Sequence, residues 1–169
     1  VTSPETAARD LQENAALWSA REIRAEKVVR SACDALVAGL DSPTLRILAA
    51  CTRAEAGESV PALLPAALDE LGLVFHPLDS EAVTEPAVRL LAGRLLAGEM
   101  TPRAFAWRIS RVYGSNVDLA LPFVGLHEAY DTVEYTEYTV AELDAEVIAE
   151  ARRIAAYPHE PIESPSTSD

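Results

Sequence analysis

Thr139-Val140-Ala141-Glu142-Leu143-Asp144-Ala145-Glu146-Val147-Ile148-Ala149-Glu150-Ala151-Arg152-Arg153-Ile154-Ala155 reads as one amphipathic helix. Val140, Leu143, Val147, Ala151 and Ile154 recur at helical spacing and share a face. Thr139 precedes the run and Glu142 follows within one turn, so each side chain can accept the other's backbone N–H in a capping box. A helix over 140–155 is expected. The same residues belong to a longer segment with an unusual charge balance. Between Arg111 and Arg152 there is no lysine or arginine, while Asp118, Glu128, Asp131, Glu134, Glu137, Glu142, Asp144, Glu146 and Glu150 all lie there. Uncompensated carboxylates repel one another, so such a surface costs stability unless something uses it.

The helical period extends upstream. Phe105, Ile109 and Val112 mark a helix over 102–113, capped by Thr101-Pro102, and Phe123, Leu126 and Tyr130 mark another over 121–134. A polar approach at 81–86 leads into a helix over 86–97, which Gly98 ends. Asp41-Ser42-Pro43 starts a helix reaching about 56, with Leu45, Leu48, Ala49 and Ala56 in its pattern. Gly57-Glu58-Ser59 reads as a turn, and Pro61 opens a helix with Leu63, Leu64, Ala67 and Leu71 inward and Gly72 as its stop. These two helices form a hairpin. Thr2 and Glu5 have capping-box spacing ahead of a pattern over 4–40, which suits one long helix or two helices broken near Ser19-Ala20. Leu73-Val74-Phe75 is a short β-like run with no visible partner strand, and is read as a tucked-in connector.

About half of the 169 residues are hydrophobic, only 6% are aromatic, and Ala and Leu dominate. That balance favours packed helices over sheets. The expected fold is all-α: a compact bundle of about seven or eight helices built from hairpins. It forms one domain over 1–156, divisible into halves 1–73 and 84–156, followed by a disordered tail over 157–169.

The net charge of −13 argues against a nucleic-acid binder, because phosphate affinity comes from Lys and Arg, and against anionic membrane surfaces. No apolar run approaches the roughly 20 residues that span a bilayer. The first residues lack the basic and apolar parts of a signal peptide. Cys33 and Cys51 are expected as buried free thiols inside helices. These features together suggest a cytoplasmic protein.

No cofactor or metal is expected. His76, His127 and His159 fall in no metal-binding motif, and there is no glycine-rich phosphate loop. His127 and Asp131 are spaced to share a helix face, as a general base and its orienting carboxylate would be. No motif-embedded nucleophile accompanies them, so an ordinary surface pair is the better reading and no enzyme is expected. Trp18 continues the stripe of Leu11 and Ala15 and is expected in the core. Trp107 lies off the Phe105–Ile109 face, at a helix seam or a binding surface. In the segment 130–139, tyrosines alternate with carboxylates. Tyrosine supplies rigid contact area with a polar tip, and carboxylates steer a basic partner. Asp118, Glu128, Asp131, Glu134, Tyr135, Glu137 and Tyr138 are the candidate contacts to a protein with a basic surface.

Leu95-Leu96-Ala97-Gly98-Glu99-Met100-Thr101-Pro102-Arg103-Ala104-Phe105, followed by Leu126-His127-Glu128-Ala129-Tyr130-Asp131 and an acidic last helix, resembles small bacterial immunity proteins of the colicin D immunity type. The likeness covers about 87–155, and nothing before Leu73 takes part in it. It implies a non-catalytic helical bundle that neutralises a basic toxin, often a nuclease, by covering its active surface with acidic side chains. The rival expectation is a helical adaptor that receives a peptide or helix in a groove near the hairpin over 42–71.

Overall fold

A computed structural model describes residues 2–114 and 116–156. The tail expected over 157–169 lies outside the described residues. Eight α-helices account for most of the chain, and among the described residues there is no strand. They are α1 (Pro4–Ser19), α2 (Ala25–Val37), α3 (Pro43–Ala50), α4 (Ala56–Glu70), α5 (Glu81–Leu96), α6 (Pro102–Tyr113), α7 (Leu121–Thr132) and α8 (Val140–Ala156). Short 3-10 turns, Asp118–Ala120 and Val133–Tyr135, bracket α7.

The helices assemble around two apolar clusters. Leu11, Val28, Ala32, Leu45, Leu48, Val60, Leu64 and Leu68 form one, from α1 to α4. Phe105, Ile109, Phe123, Tyr130, Leu143, Val147 and Ile154 form the other, from α5 to α8, with Leu17 of α1 reaching into it. Phe105 and Phe123 meet edge to face with centroids 5.0 Å apart, which is the favourable geometry for two ring quadrupoles. Packing of α1 on α5 joins the two halves.

The chain breaks between α1 and α2. Arg21 adopts φ 59°, a left-handed conformation that a side chain disfavours, and Asp79 does the same at φ 55°. The two residues hold each other. Arg21 Nε donates to Asp79 Oδ1 at 2.8 Å, and Asp79 N–H donates to the Ser19 carbonyl at 2.9 Å. Two strained turns are thereby clipped together, and the connector after α4 lies along the end of α1. Glu22, in the same break, has a side chain only 6% exposed. It accepts from Arg108 Nε at 3.1 Å and from the Tyr113 hydroxyl at 2.6 Å, both on α6.

Several element ends differ from expectation. Ser3, not Thr2, caps α1, accepting the Thr6 N–H at 3.2 Å. The helix expected to reach about 56 stops at Ala50, and α4 begins at Ala56 rather than Pro61. A capping box that spacing alone did not single out sets this boundary: Thr52 N–H donates to Glu55 Oε2 at 2.9 Å. Gly57 and Pro61 consequently lie inside α4, together with Pro65, which the expected helix already includes. Proline removes an intrahelical hydrogen bond, but Val60, Leu64, Ala67 and Leu68 are completely buried along the same helix, and that burial outweighs it. Similarly, α5 starts at Glu81 and carries Pro86 within it. In α6, Val112 is exposed and Tyr113 takes the inward place; in α8, Val140 is exposed. Cys33 and Cys51 are free but only half-buried, and Cys51 stands just past the end of α3. Trp18 is buried in the N-terminal core, as its stripe implied.

The Glu22 contact yields a test. Arg108→Ala strands a buried carboxylate and is expected to destabilise by about 3 kcal/mol in urea unfolding. Glu22→Gln combined with Arg108→Ala should recover part of that loss. Equal destabilisation in the single and double variants would show that the pair is not coupled.

Candidate protein-binding surface at the junction of α7 and α8

The junction is built from both sides by local hydrogen bonds. Thr139 N–H and its hydroxyl each donate to Glu142 Oε2 at 2.8 Å, and Glu142 N–H donates to Thr139 Oγ1 at 3.3 Å. This is the capping box that the sequence proposes. The Thr139 backbone N–H, then its hydroxyl, hold the Glu142 carboxyl below its usual range. On the other side, the 3-10 turn Val133–Tyr135 ends where Thr136 N–H donates to the Val133 carbonyl at 3.3 Å. Residues 133–139 therefore turn the chain sharply from α7 into α8.

Beneath the turn, Tyr130 anchors α7. Its ring is 2% exposed, and its hydroxyl donates to Asp144 Oδ1 of α8 at 2.5 Å. Burial first, and then the Asp144 carboxylate, raise the phenol well above its ordinary range, so it stays a donor. The Arg103 guanidinium of α6 sits over the same ring, 5.7 Å from its centroid, and lies 3.4 Å from Asp131 Oδ1. His127 Nε2 is 3.8 Å from the other Asp131 oxygen. The His127 ring is mostly buried, and its Nδ1 finds no protein partner. The His127–Asp131 pair shares a face as expected, but it also shares Asp131 with Arg103.

These contacts divide the acidic segment. Asp131, Glu142, Asp144 and Glu150 are committed within the molecule, the last to Arg153. Among the described residues, Glu128, Glu134, Glu137 and Glu146 form no ion pair and stand exposed. Tyr135 is 86% and Tyr138 54% exposed beside them. Of the candidate contacts, Glu128, Asp131, Glu134, Tyr135, Glu137 and Tyr138 thus gather at the end of α7 and in the turn after it. Asp118 does not join them. It precedes α7, whose 12 residues put about 18 Å between it and the turn.

The placement is electrostatically unfavourable. The C-terminal end of a helix carries partial negative charge, and α7 has no basic residue in its last turn. Glu128 and Asp131, near that end, are disfavoured by about 0.3–1 kcal/mol each, whereas Glu137 also stands just ahead of the N-terminus of α8, which favours acids. Arg103 offsets one of them from 28 residues upstream, a contact that no local spacing announces.

Surface grooves of about 320 to 670 Å³ are lined by α1 to α5 and their connectors. One largely apolar groove lies among Ala16, Val74, Pro86 and Leu90, between α1, the connector and α5, and another groove borders the hairpin over 42–71 at Arg53, Ala54, Gly57 and Pro61. Among the described residues, no group of three or more His, Cys, Asp or Glu is placed to hold a metal ion, and no helix is long and apolar enough to cross a membrane.

The capping contact gives a pH test. A carboxyl held low in the folded state contributes stability above its unfolded pKa and loses it as pH falls through the folded value. Thr139→Ala should therefore lower the melting temperature most above about pH 5, with the difference shrinking below about pH 4. A difference that is constant across this range would rule out the carboxylate's part in the cap.

No protein-family model, curated protein or solved structure significantly matches this chain.

Proposed function

We propose that this is a non-catalytic binding protein that places the α7–α8 junction against a basic surface of another protein. The reading is supported by one observation above all. Glu128, Glu134 and Glu137 lie close in the chain at and just beyond the end of α7, without ion-pair partners among the described residues, beside the exposed rings of Tyr135 and Tyr138. Within the molecule that arrangement is a cost. Against a cationic partner it becomes attraction, with two rigid aromatic contacts to exclude water around the charges.

The partner class that fits best is a small basic toxin domain, such as a nuclease. The acidic turn would stand in for the polyanionic substrate and block access to it. The resemblance of 87–155 to colicin D-type immunity proteins points the same way, and in this reading the protein is a bacterial immunity factor. Asp131 acts through Arg103 to keep the turn in place rather than through direct contact. The exposed end of α7 and the turn after it supply the surface.

The test is titration against a basic toxin domain encoded beside this chain's gene. Glu134→Lys with Glu137→Lys should slow association by about tenfold or more at low salt, with a smaller difference at high salt and unchanged helicity by circular dichroism. Unchanged association would remove the electrostatic mechanism. If no basic protein binds and a helical peptide instead binds among Ala16, Val74, Pro86 and Leu90, the adaptor reading replaces it.

A further inference from the structure

The outer face of α6 is built unlike the rest of this acidic molecule. Arg103, Trp107 and Arg111 follow at helical spacing, and all three are exposed, Trp107 by 47%. The inward face of the same helix is occupied by Phe105, Ala106, Ile109 and Tyr113. Arg111 forms no ion pair among the described residues, whereas Arg103 is held beside Asp131 and over Tyr130. The Arg103 end of the stripe is thereby fixed next to the acidic turn. From there the stripe runs about 12 Å along α6 to Arg111. From the acidic turn along α6 the exposed residues are thus, in order, carboxylates without ion pairs among the described residues, an arginine held beside Asp131, a tryptophan and a second arginine.

That order is its own complement. A two-fold rotation about an axis near Trp107 sets the Arg111 end of one copy against the Glu134 and Glu137 end of another, twice, and brings the two Trp107 rings together near the axis. This is the requirement for an isologous interface. A uniformly basic partner would meet repulsion at Arg111, and a uniformly acidic one at Glu134 and Glu137. A second copy meets neither. We propose that the outer face of α6 and the α7–α8 turn form a two-fold homodimer interface centred on Trp107. Trp107 supplies the desolvated aromatic anchor, and the charged ends set the register. Long-range repulsion between two chains of net charge −13 opposes association at low salt. At about 0.1 M salt it is screened over roughly 10 Å, while the contacting charges act at shorter range. The interface goes beyond the toxin reading and needs only this chain. It would also make the free dimer compete with any basic ligand for Glu134 and Glu137.

Sedimentation velocity of the full chain at about 0.15 M salt, from ~1 µM to ~500 µM, tests this. The weight-average mass is expected to rise from one chain to two. Trp107→Ala should move the midpoint upward by about tenfold or more. Arg111→Glu alone, and Glu134→Arg with Glu137→Arg alone, should each remain monomeric, because like charges then face each other. An equimolar mixture of these two proteins should dimerise, since both ends of the mixed pair are again complementary. In a Trp18→Phe background Trp107 is the sole tryptophan, and its emission should shift to shorter wavelength over the same concentration range. The proposal fails if wild type stays monomeric throughout, if Trp107→Ala leaves the midpoint unchanged, or if the mixture stays monomeric while each variant keeps its helicity.

Discussion

The carboxylate of Glu22 is the point on which the two halves of this protein turn. It lies in the break between α1 and α2, its side chain almost wholly removed from water, and its partners Arg108 and Tyr113 come from α6. A carboxylate so placed costs several kcal/mol unless it is paired and hydrogen-bonded. The cost is met only when α6 sits against the end of α1. Packing of α1 on α5, with Leu17 in the C-terminal cluster, joins α1–α4 to α5–α8 through burial that is itself non-directional. The hydrogen bonds to Glu22 are directional, so they select one arrangement. The raised Tyr113 phenol, due to burial and then to Glu22, keeps that hydroxyl protonated and donating. The Arg21–Asp79 clip, whose arginine immediately precedes Glu22, holds the same corner.

With that corner set, α6 becomes the organising helix of the C-terminal half. Its inward residues pack Phe105 on Phe123, and its arginines reach out in three directions. Arg108 secures the other half, Arg103 secures the acidic turn through Asp131 and Tyr130, and Arg111 is left facing outward. The acidic segment is therefore not a uniform field. Asp144 and Glu142 serve the packing and capping of α8, Glu150 pairs with Arg153, and only the remainder is open to solvent. This sorting concentrates negative charge at the α7–α8 turn, where like charges repel one another. A functional reading of the acids draws its force from that concentration more than from their number.

Much of this was legible before any coordinates. The apolar period of α8 and its Thr139–Glu142 cap are local, and local hydrogen bonds act the same way wherever the helix docks. The same holds for the Thr101 cap of α6 and for Trp18 as a continuation of the Leu11 stripe. Where expectation and structure part, tertiary burial prevailed over local preference. Pro61 and Pro86 each argue for a helix start, yet each lies within a helix whose apolar stripe is buried. Val112 and Tyr113 exchange roles: Tyr113 lies inward in the apolar cluster with its hydroxyl on Glu22, and Val112 is exposed. At the candidate surface, the chain order alone assembled Glu128, Glu134, Tyr135, Glu137 and Tyr138. It also grouped Asp118 with them, and the intervening length of α7 separates it.

By itself, then, the sequence determined an all-helical chain, the identity of most buried positions, and a tract of acids without nearby bases, because periodicity, capping and charge count are properties of neighbours in the chain. Only the tertiary structure decided which of those acids remain free. Ion pairing falls off with distance, and the distances that matter, Arg103 to Asp131 and Arg108 to Glu22, join residues far apart in sequence.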